Sequence, residues 1–281
     1  KADLKGSINI PGSKNAALPI LVASLLSKEN LYIKNIPDLQ DIESMIKLLK
    51  NFGVDILKNK NNLILNASKI KNNIADYDLV RKMRASILVL GPLLARFKKA
   101  TISLPGGCAI GTRPIDIHLN SLSKLGVKFQ IENGYVRGEV EDKLIGATIN
   151  LPFPSVGATE NLIMAASLAR GTTIINNPAK EPEIIDLAKA LNAMGAKIFF
   201  SGDDCIEIEG VDSLKEAEHT IMFDRIVAGT YILAGVMLNK KFTINNIDPT
   251  FLKSLTDVLK KMKANLHIKD NYITTMPSKG I

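Results

Sequence analysis

The sequence contains no tryptophan, only two cysteines and only three histidines, and each shortage narrows the possible functions. The two cysteines are far apart and form no CxxC pair, which argues against a disulfide scaffold or a zinc site. The histidines are too scattered to indicate a metal site, so we expect neither a metal nor another cofactor. A chain with so few thiols fits the reducing cytoplasm, where we expect it to be located.

Long apolar runs are lacking too. The longest are Ala16–Leu26, Ala85–Ala95 and Ile226–Leu238, and each is shorter than the roughly 18 residues that a membrane-spanning helix needs. The N-terminus shows no signal-peptide pattern. We therefore expect no membrane partner.

The net charge of +8 raises the question of nucleic-acid binding, but the composition argues against it. Only seven of the 36 basic residues are arginine, and the lysines are scattered along the chain. Aromatic residues make up 5% of the sequence and do not alternate with basic ones, as a base-stacking surface would require. A lysine-rich surface with a few cations kept for anionic small molecules explains the charge better.

Four segments share one order of elements and organise the chain. In each, a polar or glycine-bearing start precedes an alanine-rich apolar helix, a strand, a turn, a second helix and another strand. The segments are 11–56, 77–129, 154–198 and 222–266. Each is predicted to be a βαβαββ unit of an α+β fold, with one helix inside and one outside. Because such a unit cannot close a core alone, several are expected to pack around shared axes.

Turn residues recur at matching places in these units. Asn35 precedes Gly53 by the same number of residues as Asn177 precedes Gly195, while the fourth unit keeps an asparagine and replaces the glycine with Lys263. A glycine just past a helix allows the left-handed conformation that ends it. The first helices of units one and three, "LVASLL" and "IMAASLA", are apolar on nearly all sides and are therefore predicted to be buried.

Charged residues gather where the first helices of the units begin. Lys14 opens unit one, Arg84 lies near the start of unit two, and Arg113 follows a glycine-rich stretch. Helix starts favour anions, so these cations indicate a pocket for phosphate and carboxylate groups. The alternative is that each cation merely caps a helix or solvates a surface. Lys14 directly precedes an apolar helix, which favours a functional role for it.

Cys108 lies in the glycine-rich stretch "LPGGCAIGTRP", where a cysteine cannot serve as ordinary apolar packing. The surrounding glycines predict a mobile loop that approaches a ligand closely. From the residues alone, a reactive thiol and an incidental cysteine are both open interpretations. Cys205 adjoins an alternating strand and is interpreted as structural.

Five stretches occur in order along the whole chain: "PGSKNAALPIL" (Pro11–Leu21), "RKMRASI" (Arg81–Ile87), "LPGGCAIGTRPID" (Leu104–Asp116), "SVGATEN" (Ser155–Asn161) and "FDRIVAGT" (Phe223–Thr230). Together they closely resemble the family of UDP-N-acetylglucosamine enolpyruvyl transferases. The cysteine loop is the most specific of the five.

The resemblance implies two domains, each of three βαβαββ units in the inside-out α/β barrel of that family, closing around the substrates. Residues 15–222 are expected to form one complete domain that carries the Cys108 loop. Residues 1–14 and 223–281 are expected to form about one unit of the second domain. We expect a fragment, because the family's catalytic aspartate and further arginines lie beyond residue 281.

The implied reaction transfers the enolpyruvyl group of phosphoenolpyruvate to the 3′-hydroxyl of UDP-N-acetylglucosamine by addition and elimination, without a metal. Cys108 matches the family's general acid, and its thiol can also attack the epoxide antibiotic fosfomycin. Lys14, Asn15 and Arg113 match contacts to phosphoenolpyruvate. Neighbouring cations favour the thiolate, whereas bound phosphoenolpyruvate is anionic, so we expect the protonation of Cys108 to depend on ligand.

The remaining contacts implied by the resemblance are to UDP-N-acetylglucosamine. They are Arg84, Arg113, Pro114, Ile115, Asp116, Ile117, Phe153, Pro154, Ser155 and Val156. Some relatives are expected to have lysine at position 153, and phenylalanine cannot supply that charge. The backbone N–H groups of Ser155 and Val156 are then expected to carry more of the binding, since proline has no N–H to offer.

Two alternatives stay open beside this transferase. An enolpyruvyl transferase acting on a non-nucleotide acceptor is one, although the "RPID" segment argues against it. The other is a binding-only fragment that holds UDP-N-acetylglucosamine without turnover. The sequence leaves the oligomeric state unknown.

Overall fold

The computed structural model describes residues 5–75, 77–80, 83–104, 115–202 and 204–278, apart from the side chains of Leu79 and Arg84. These residues form two compact units. The large unit is Lys14–Thr220, and the small unit consists of the described residues of Lys1–Ser13 and Ile221–Ile281. Within the described ranges, no helix is long and apolar enough to cross a membrane.

The strands in chain order are β1 (Gly6–Asn9), β2 (Asn30–Lys34), β3 (Asp55–Asn59), β4 (Asn62–Asn66), β5 (Ile74–Ala75), β6 (Lys99–Ser103), β7 (Lys128–Glu132), β8 (Tyr135–Glu139), β9 (Thr148–Asn150), β10 (Thr172–Asn176), β11 (Lys197–Ser201), β12 (Cys205–Glu209), β13 (Ala217–Thr220), β14 (Phe242–Asn245), β15 (Asn265–Lys269) and β16 (Tyr272–Met276). The α-helices are α1 (Lys14–Ala23), α2 (Gln40–Phe52), α3 (Tyr77–Val80), α4 (Leu90–Phe97), α5 (Asp116–Lys124), α6 (Val156–Ala166), α7 (Pro182–Ala193), α8 (Arg225–Met237) and α9 (Lys253–Lys261). Short 3₁₀ helices are Ser24–Leu26, Arg84–Val89 (helix 84–89) and Pro249–Leu252.

The strands form four-stranded sheets that share one order. In each sheet an edge strand runs parallel to its neighbour, and the other pairings are antiparallel. The sheets are β13-β2-β4-β3, β5-β6-β8-β7 and β9-β10-β12-β11 in the large unit and β1-β14-β16-β15 in the small unit. The predicted α+β fold of βαβαββ repeats is therefore confirmed. Each sheet is open, and no strand pairing among the described residues joins one sheet to another.

The edge strands of the first and fourth repeats are exchanged. β1 precedes α1 in the chain but pairs with β14, starting from Gly6 opposite Phe242. β13 precedes α8 in the chain but pairs with β2, starting from Ala217 opposite Leu31. Each compact unit therefore completes a sheet with a strand that is remote in sequence.

The repeated asparagines form the turns that follow β2, β10 and β14. Asn35, Asn177 and Asn246 have φ values of 60°, 56° and 60°, a left-handed conformation that asparagine tolerates better than most residues. The Asn177 amide also donates a hydrogen bond to the carbonyl of Leu151, and the Asn246 amide donates to that of Ile10, both at 3.0 Å. These amides tie the turn to the end of the parallel edge strand.

The predicted left-handed residues after the second helices are also confirmed. Gly53 and Gly195 have φ values of 104° and 97°, and Gly126, which follows the second helix of the second repeat, has a φ of 97°. Lys263, which replaces the glycine in the fourth repeat, adopts the same region at φ 65°. A lysine there is strained relative to glycine, so the fourth repeat keeps the turn at some cost.

The apolar helices predicted to be buried are buried on all sides in the large unit. Every residue from Ala16 to Ala23 of α1 and from Ala158 to Ala166 of α6 is buried. The equivalent helix of the small unit, α8, differs. It exposes a stripe at helical spacing that consists of Ile226, Thr230, Leu233 and Met237.

Candidate active site

Most of the predicted binding residues lie at helix starts. Lys14 begins α1, Arg84 begins helix 84–89, Asp116 begins α5, and Ser155 immediately precedes α6. The N–H groups in the first turn of a helix have no partner within that helix, and they point towards any anion placed there.

Lys14 forms an ion pair that the sequence did not indicate. Its Nζ lies 2.7 Å from Oδ2 of Asp41 in the first turn of α2, and each side chain is 38% exposed. Asn15, the next residue of α1, is exposed. An ion pair this accessible contributes little to stability, so Lys14 can exchange its carboxylate partner for another anion.

The entry into α6 is fixed by its own polar side chains. The Ser155 hydroxyl accepts a long hydrogen bond of 3.5 Å from the N–H of Ala158. The Thr159 hydroxyl donates to the Ser155 carbonyl at 2.8 Å and accepts from the N–H of Ala179 at 3.0 Å. These bonds set the direction in which the chain enters α6 and hold the residues before it.

The other predicted nucleotide-sugar contacts in the described ranges are all accessible to solvent to some degree. Phe153 is 56% exposed, and Pro154 and Asp116 are exposed as well. The partly buried ones are Ile115, Ile117 and Val156.

Three helices that begin with, or directly follow, predicted binding residues meet at one buried amide, that of Asn161 on α6. This side chain is fully buried. Its Oδ1 accepts a hydrogen bond from the N–H of Gly91 at 2.8 Å. Its Nδ2 lies 3.0 Å from the carbonyl oxygen of Ile87 and 3.0 Å from Nδ1 of His118. Asn161 thus connects α6 to helix 84–89, to α4, which directly follows that helix, and to α5.

His118 is also buried, and its ring packs against the start of α6. Only 7% of the residue is exposed. A Cβ added to Gly157 would lie 3.1 Å from Cε1 and 3.4 Å from Nε2 of the ring. Glycine at position 157 therefore allows the imidazole to approach the first turn of α6 closely.

Glu160 precedes Asn161 and is buried, and the charged groups that act on it within the described residues are negative. Burial, with a smaller contribution from the negative charges of Glu183 and Glu181, raises the pKa of Glu160 to about 8. The side chain belongs to a residue that is 5% exposed. At neutral pH it is therefore mostly a neutral carboxylic acid inside the large unit.

Comparison with known protein families matches residues 1–280 to the EPSP synthase (3-phosphoshikimate 1-carboxyvinyltransferase) family. The chain belongs to this family. The resemblance seen in the cysteine loop and the four other stretches is thereby confirmed at the family level. The family likeness covers both compact units and all four repeats.

Several relatives are much more similar to this chain in sequence than proteins that share only its fold. The chain is 51% identical over 280 residues to the UDP-N-acetylglucosamine 1-carboxyvinyltransferase of Pelagibacter ubique, which covers 100% of the chain and 67% of the relative. It is 50% identical over 258 residues to the enzyme of the same name from Endomicrobium trichonymphae, covering 92% of the chain and 62% of the relative. The chain thus spans about two thirds of the length of these relatives.

Solved structures of carboxyvinyl transferases share the fold. The enolpyruvyl transferase NikO from Streptomyces tendae has a TM-score of 0.87 at 22% identity, covering 98% of this chain and 66% of that one. The EPSP synthase of Acinetobacter baumannii has a TM-score of 0.79 at 17% identity, covering 98% of this chain and 65% of that one. At such low identity these likenesses support the fold of the carboxyvinyltransferase family and no more.

Three of the predicted site residues, Cys108, Arg113 and Pro114, lie outside the described residues, as does the side chain of Arg84. Their roles stay predictions. The structure does link the segments that follow them, because α5 begins two residues after Pro114 and is bonded to α6 through His118.

Sequence reasoning missed Asn161 and His118 as parts of the site. A signal for Asn161 existed, since a polar residue within an all-round apolar helix must find hydrogen-bond partners when buried. His118 follows Asp116 by one helical half-turn, and no local sequence pattern indicates its contact with Asn161. No group of three or more metal-ligating side chains occurs in the described part of the chain.

Proposed function

We propose that this chain provides the catalytic thiol and much of the substrate-binding surface of a UDP-N-acetylglucosamine 1-carboxyvinyltransferase. The observation that carries the proposal is the 51% identity, along 280 residues, with the Pelagibacter ubique enzyme of that name. The reaction joins phosphoenolpyruvate and UDP-N-acetylglucosamine and releases phosphate. It is the first committed step of peptidoglycan synthesis, which we place in the cytoplasm.

The proposed chemistry is an addition followed by an elimination. The Cys108 thiol gives a proton to the methylene carbon of phosphoenolpyruvate, and the sugar 3′-hydroxyl adds to the neighbouring carbon and loses its proton. The resulting tetrahedral intermediate then loses phosphate and a proton from the methyl carbon, which restores the double bond. Proton transfer by a positioned side chain accelerates such steps by about 10²–10⁴-fold.

Anion binding is the proposed role of the cations near the helix starts. Lys14, Asn15 and Arg113 are assigned to the phosphate and carboxylate of phosphoenolpyruvate, with charge-assisted hydrogen bonds from the two cations. The partly exposed pair between Lys14 and Asp41 supports this assignment, because an incoming phosphate can replace the carboxylate.

The nucleotide sugar is proposed to bind along the starts of helix 84–89, α5 and α6. The assigned residues are Arg84, Arg113, Pro114, Ile115, Asp116, Ile117, Phe153, Pro154, Ser155 and Val156. The N–H groups of Val156 and Gly157 at the start of α6 are suited to a diphosphate group, since the first N–H groups of a helix lack partners within it. They offset the missing positive charge at Phe153. The N–H of Ala158 is already bound to the Ser155 hydroxyl.

Phosphate release tests the transferase. The purified chain is mixed with both substrates, and released phosphate is measured beside UDP-N-acetylglucosamine binding by calorimetry. In the intact enzyme, Cys108→Ala should abolish phosphate release and leave nucleotide-sugar binding intact, whereas Cys205→Ser should retain both. Binding without any release from the unchanged chain would favour the binding-only alternative. Absence of binding would contradict the proposal.

The ligand-dependent protonation of Cys108 is tested in the Cys205→Ser variant, where Cys108 is the single thiol. We expect alkylation by iodoacetamide to be fast in the empty protein and slower once phosphoenolpyruvate is bound, because the thiolate is the reactive form. Identical alkylation rates across pH with and without phosphoenolpyruvate would rule out this coupling.

A further inference from the structure

We propose that Asn161 is a positioning residue that holds His118 as the neutral tautomer protonated on Nε2, and thereby keeps α5 and helix 84–89 in register with α6. The proposal deepens the proposed function, because each of these helices begins with residues assigned to the nucleotide sugar. The tautomer itself follows from the hydrogen bonds and does not depend on any substrate.

The orientation of the Asn161 amide is determined by two backbone groups of known polarity. The N–H of Gly91 can only donate, so the amide atom 2.8 Å from it must be the oxygen. The carbonyl of Ile87 can only accept, so the atom 3.0 Å from it must be the nitrogen. Reversing the amide would place its NH₂ group against the N–H of Gly91 and its oxygen against the carbonyl oxygen of Ile87.

The amide orientation in turn determines the state of His118. The Nδ2 atom lies 3.0 Å from the ring nitrogen Nδ1 of His118 and has a second hydrogen to donate, so Nδ1 must accept it. A neutral imidazole whose Nδ1 accepts carries its proton on Nε2. An imidazolium would have two donors facing each other at this contact.

The consequence for the site is a fixed donor beside the start of α6. Nε2 of His118 lies 3.4 Å from the position that a Cβ on Gly157 would occupy. The Nε2–H group therefore lies beside the first turn of α6. The same Asn161 amide binds the carbonyl of Ile87, three residues after Arg84 in helix 84–89. One buried amide thus controls the relative position of three binding segments.

Nuclear magnetic resonance of the ¹⁵N-histidine-labelled chain tests the tautomer. His118→Gln identifies the His118 signals among those of the three histidines. We expect the His118 Nδ1 to show the chemical shift of an unprotonated ring nitrogen and Nε2 that of an N–H at neutral pH. A protonated Nδ1, in either the other tautomer or the imidazolium, would overturn the proposal without any further variant.

Asn161→Asp tests the role of the amide. A carboxylate oxygen cannot donate, so His118 should change to a form with a proton on Nδ1. The matched control is Asn192→Asp, because Asn192 also binds a backbone N–H and a carbonyl, those of Ile198, at 2.9 and 3.0 Å. The control should leave the His118 signals unchanged. An unchanged His118 signature in a folded Asn161→Asp variant would refute the proposal.

Calorimetry with UDP-N-acetylglucosamine tests the link to binding. Asn161→Asp should weaken binding by roughly tenfold, the effect expected when one buried hydrogen-bond network is broken, while Asn192→Asp should bind like the unchanged chain. Equal binding by Asn161→Asp and the unchanged chain would overturn the positioning role. If the unchanged chain does not bind, the proposed function fails, and the tautomer experiment still decides the state of His118.

Discussion

Two adjacent polar residues of α6 are buried in different ways. The Asn161 amide uses its oxygen and both of its hydrogens, whereas Glu160 has two negative neighbours and a pKa raised to about 8. A neutral carboxylic acid costs much less to bury than a carboxylate does. The helix can therefore keep both residues inside an apolar unit at neutral pH.

The raised pKa of Glu160 predicts a loss of stability as the pH rises. The value of about 8 in the folded state exceeds the ordinary 4.5, so between these values the folded protein holds a proton that the unfolded chain releases. Relative to the unchanged chain, Glu160→Gln should gain about 1.4 kcal/mol of unfolding free energy per pH unit from pH 5 to 7. Urea unfolding at several pH values measures this difference.

The control for this prediction is Glu29→Gln, because Glu29 is exposed and its replacement should leave the pH dependence as it is. If the stability curves of Glu160→Gln and the unchanged chain run parallel from pH 5 to 7, Glu160 is ionised in the folded state and the prediction is wrong.

Candidate functional residues that form a local sequence pattern could be predicted from the sequence, whereas buried polar contacts could not. The composition of the Cys108 loop and the position of Lys14 are visible along the chain. Asn161, by contrast, finds Ile87 and His118 at sequence separations of 74 and 43 residues, which no local pattern indicates. The carboxylate partner of Lys14 is 27 residues away and was missed for the same reason.

At the scale of elements, Arg96 connects the first repeat to the second. Its guanidinium donates to the carbonyls of Leu25, Ser27 and Ala67 at 2.8, 2.7 and 2.9 Å. Burial lowers the pKa of Arg96, and the three carbonyl oxygens compensate for the water that the cation has lost. The planar fork of arginine suits several acceptors at once, which a lysine ammonium does not reproduce.

Arg96→Lys should therefore destabilise the large unit by about 1.5–3 kcal/mol, the range for hydrogen bonds to a charged group. Arg170→Lys is the matched control, since the Arg170 side chain is 69% exposed and pairs only at the surface with Asp142; its effect should stay within about 0.5 kcal/mol. Unfolding in urea compares the two. Equal losses would show that the carbonyl contacts of Arg96 are not responsible.

The inner helices give a second test at this scale. Leu21 of α1 is fully buried, whereas Leu233 of α8 is 39% exposed. Leu21→Ala should cost about 2–5 kcal/mol of unfolding free energy because it leaves a cavity in a packed core. Leu233→Ala should cost less than about 1 kcal/mol, since most surface substitutions have small effects. Similar costs in urea unfolding would contradict the described exposure of α8.

The repeat predicted the order of strands and helices but not the partners of all edge strands. A strand before α1 and a strand before α8 are visible from the pattern of polar and apolar residues. Their exchange between β14 and β2 leaves that local pattern unchanged, because either pairing buries the same alternate side chains. Only the long-range pairing of the strands distinguishes the two arrangements, and local periodicity does not predict that pairing.

At the scale of the whole molecule, the exchange means that the small unit depends on a strand from the N-terminal end. Its core combines Ile10, near β1, with residues after 221, such as Ile244 and Ile273. The large unit likewise completes its first sheet with β13. The small unit is therefore built from two separate segments, whereas the large unit, 14–220, is one continuous segment that contains all of the strands of its own sheets.

This organisation predicts that equivalent core substitutions act on different units. Ile244 of β14 and Ile175 of β10 are both fully buried and occupy the same place in their repeats. Ile244→Ala should reduce the hydrogen-exchange protection of residues 5–13 and 221–278 and leave that of 14–220 unchanged. Each substitution removes buried apolar groups from the core of its own unit, at a cost of about 2–5 kcal/mol.

Ile175→Ala serves as the reciprocal control, with the loss of protection expected in 14–220. Hydrogen exchange measured peptide by peptide separates the two patterns, because local opening lowers protection only in the cooperative unit that opens. The decisive peptides contain β1, which is separated from Ile244 by more than two hundred residues but pairs with its strand. If Ile244→Ala left β1 as protected as before, the exchanged pairing of β1 with β14 would be wrong.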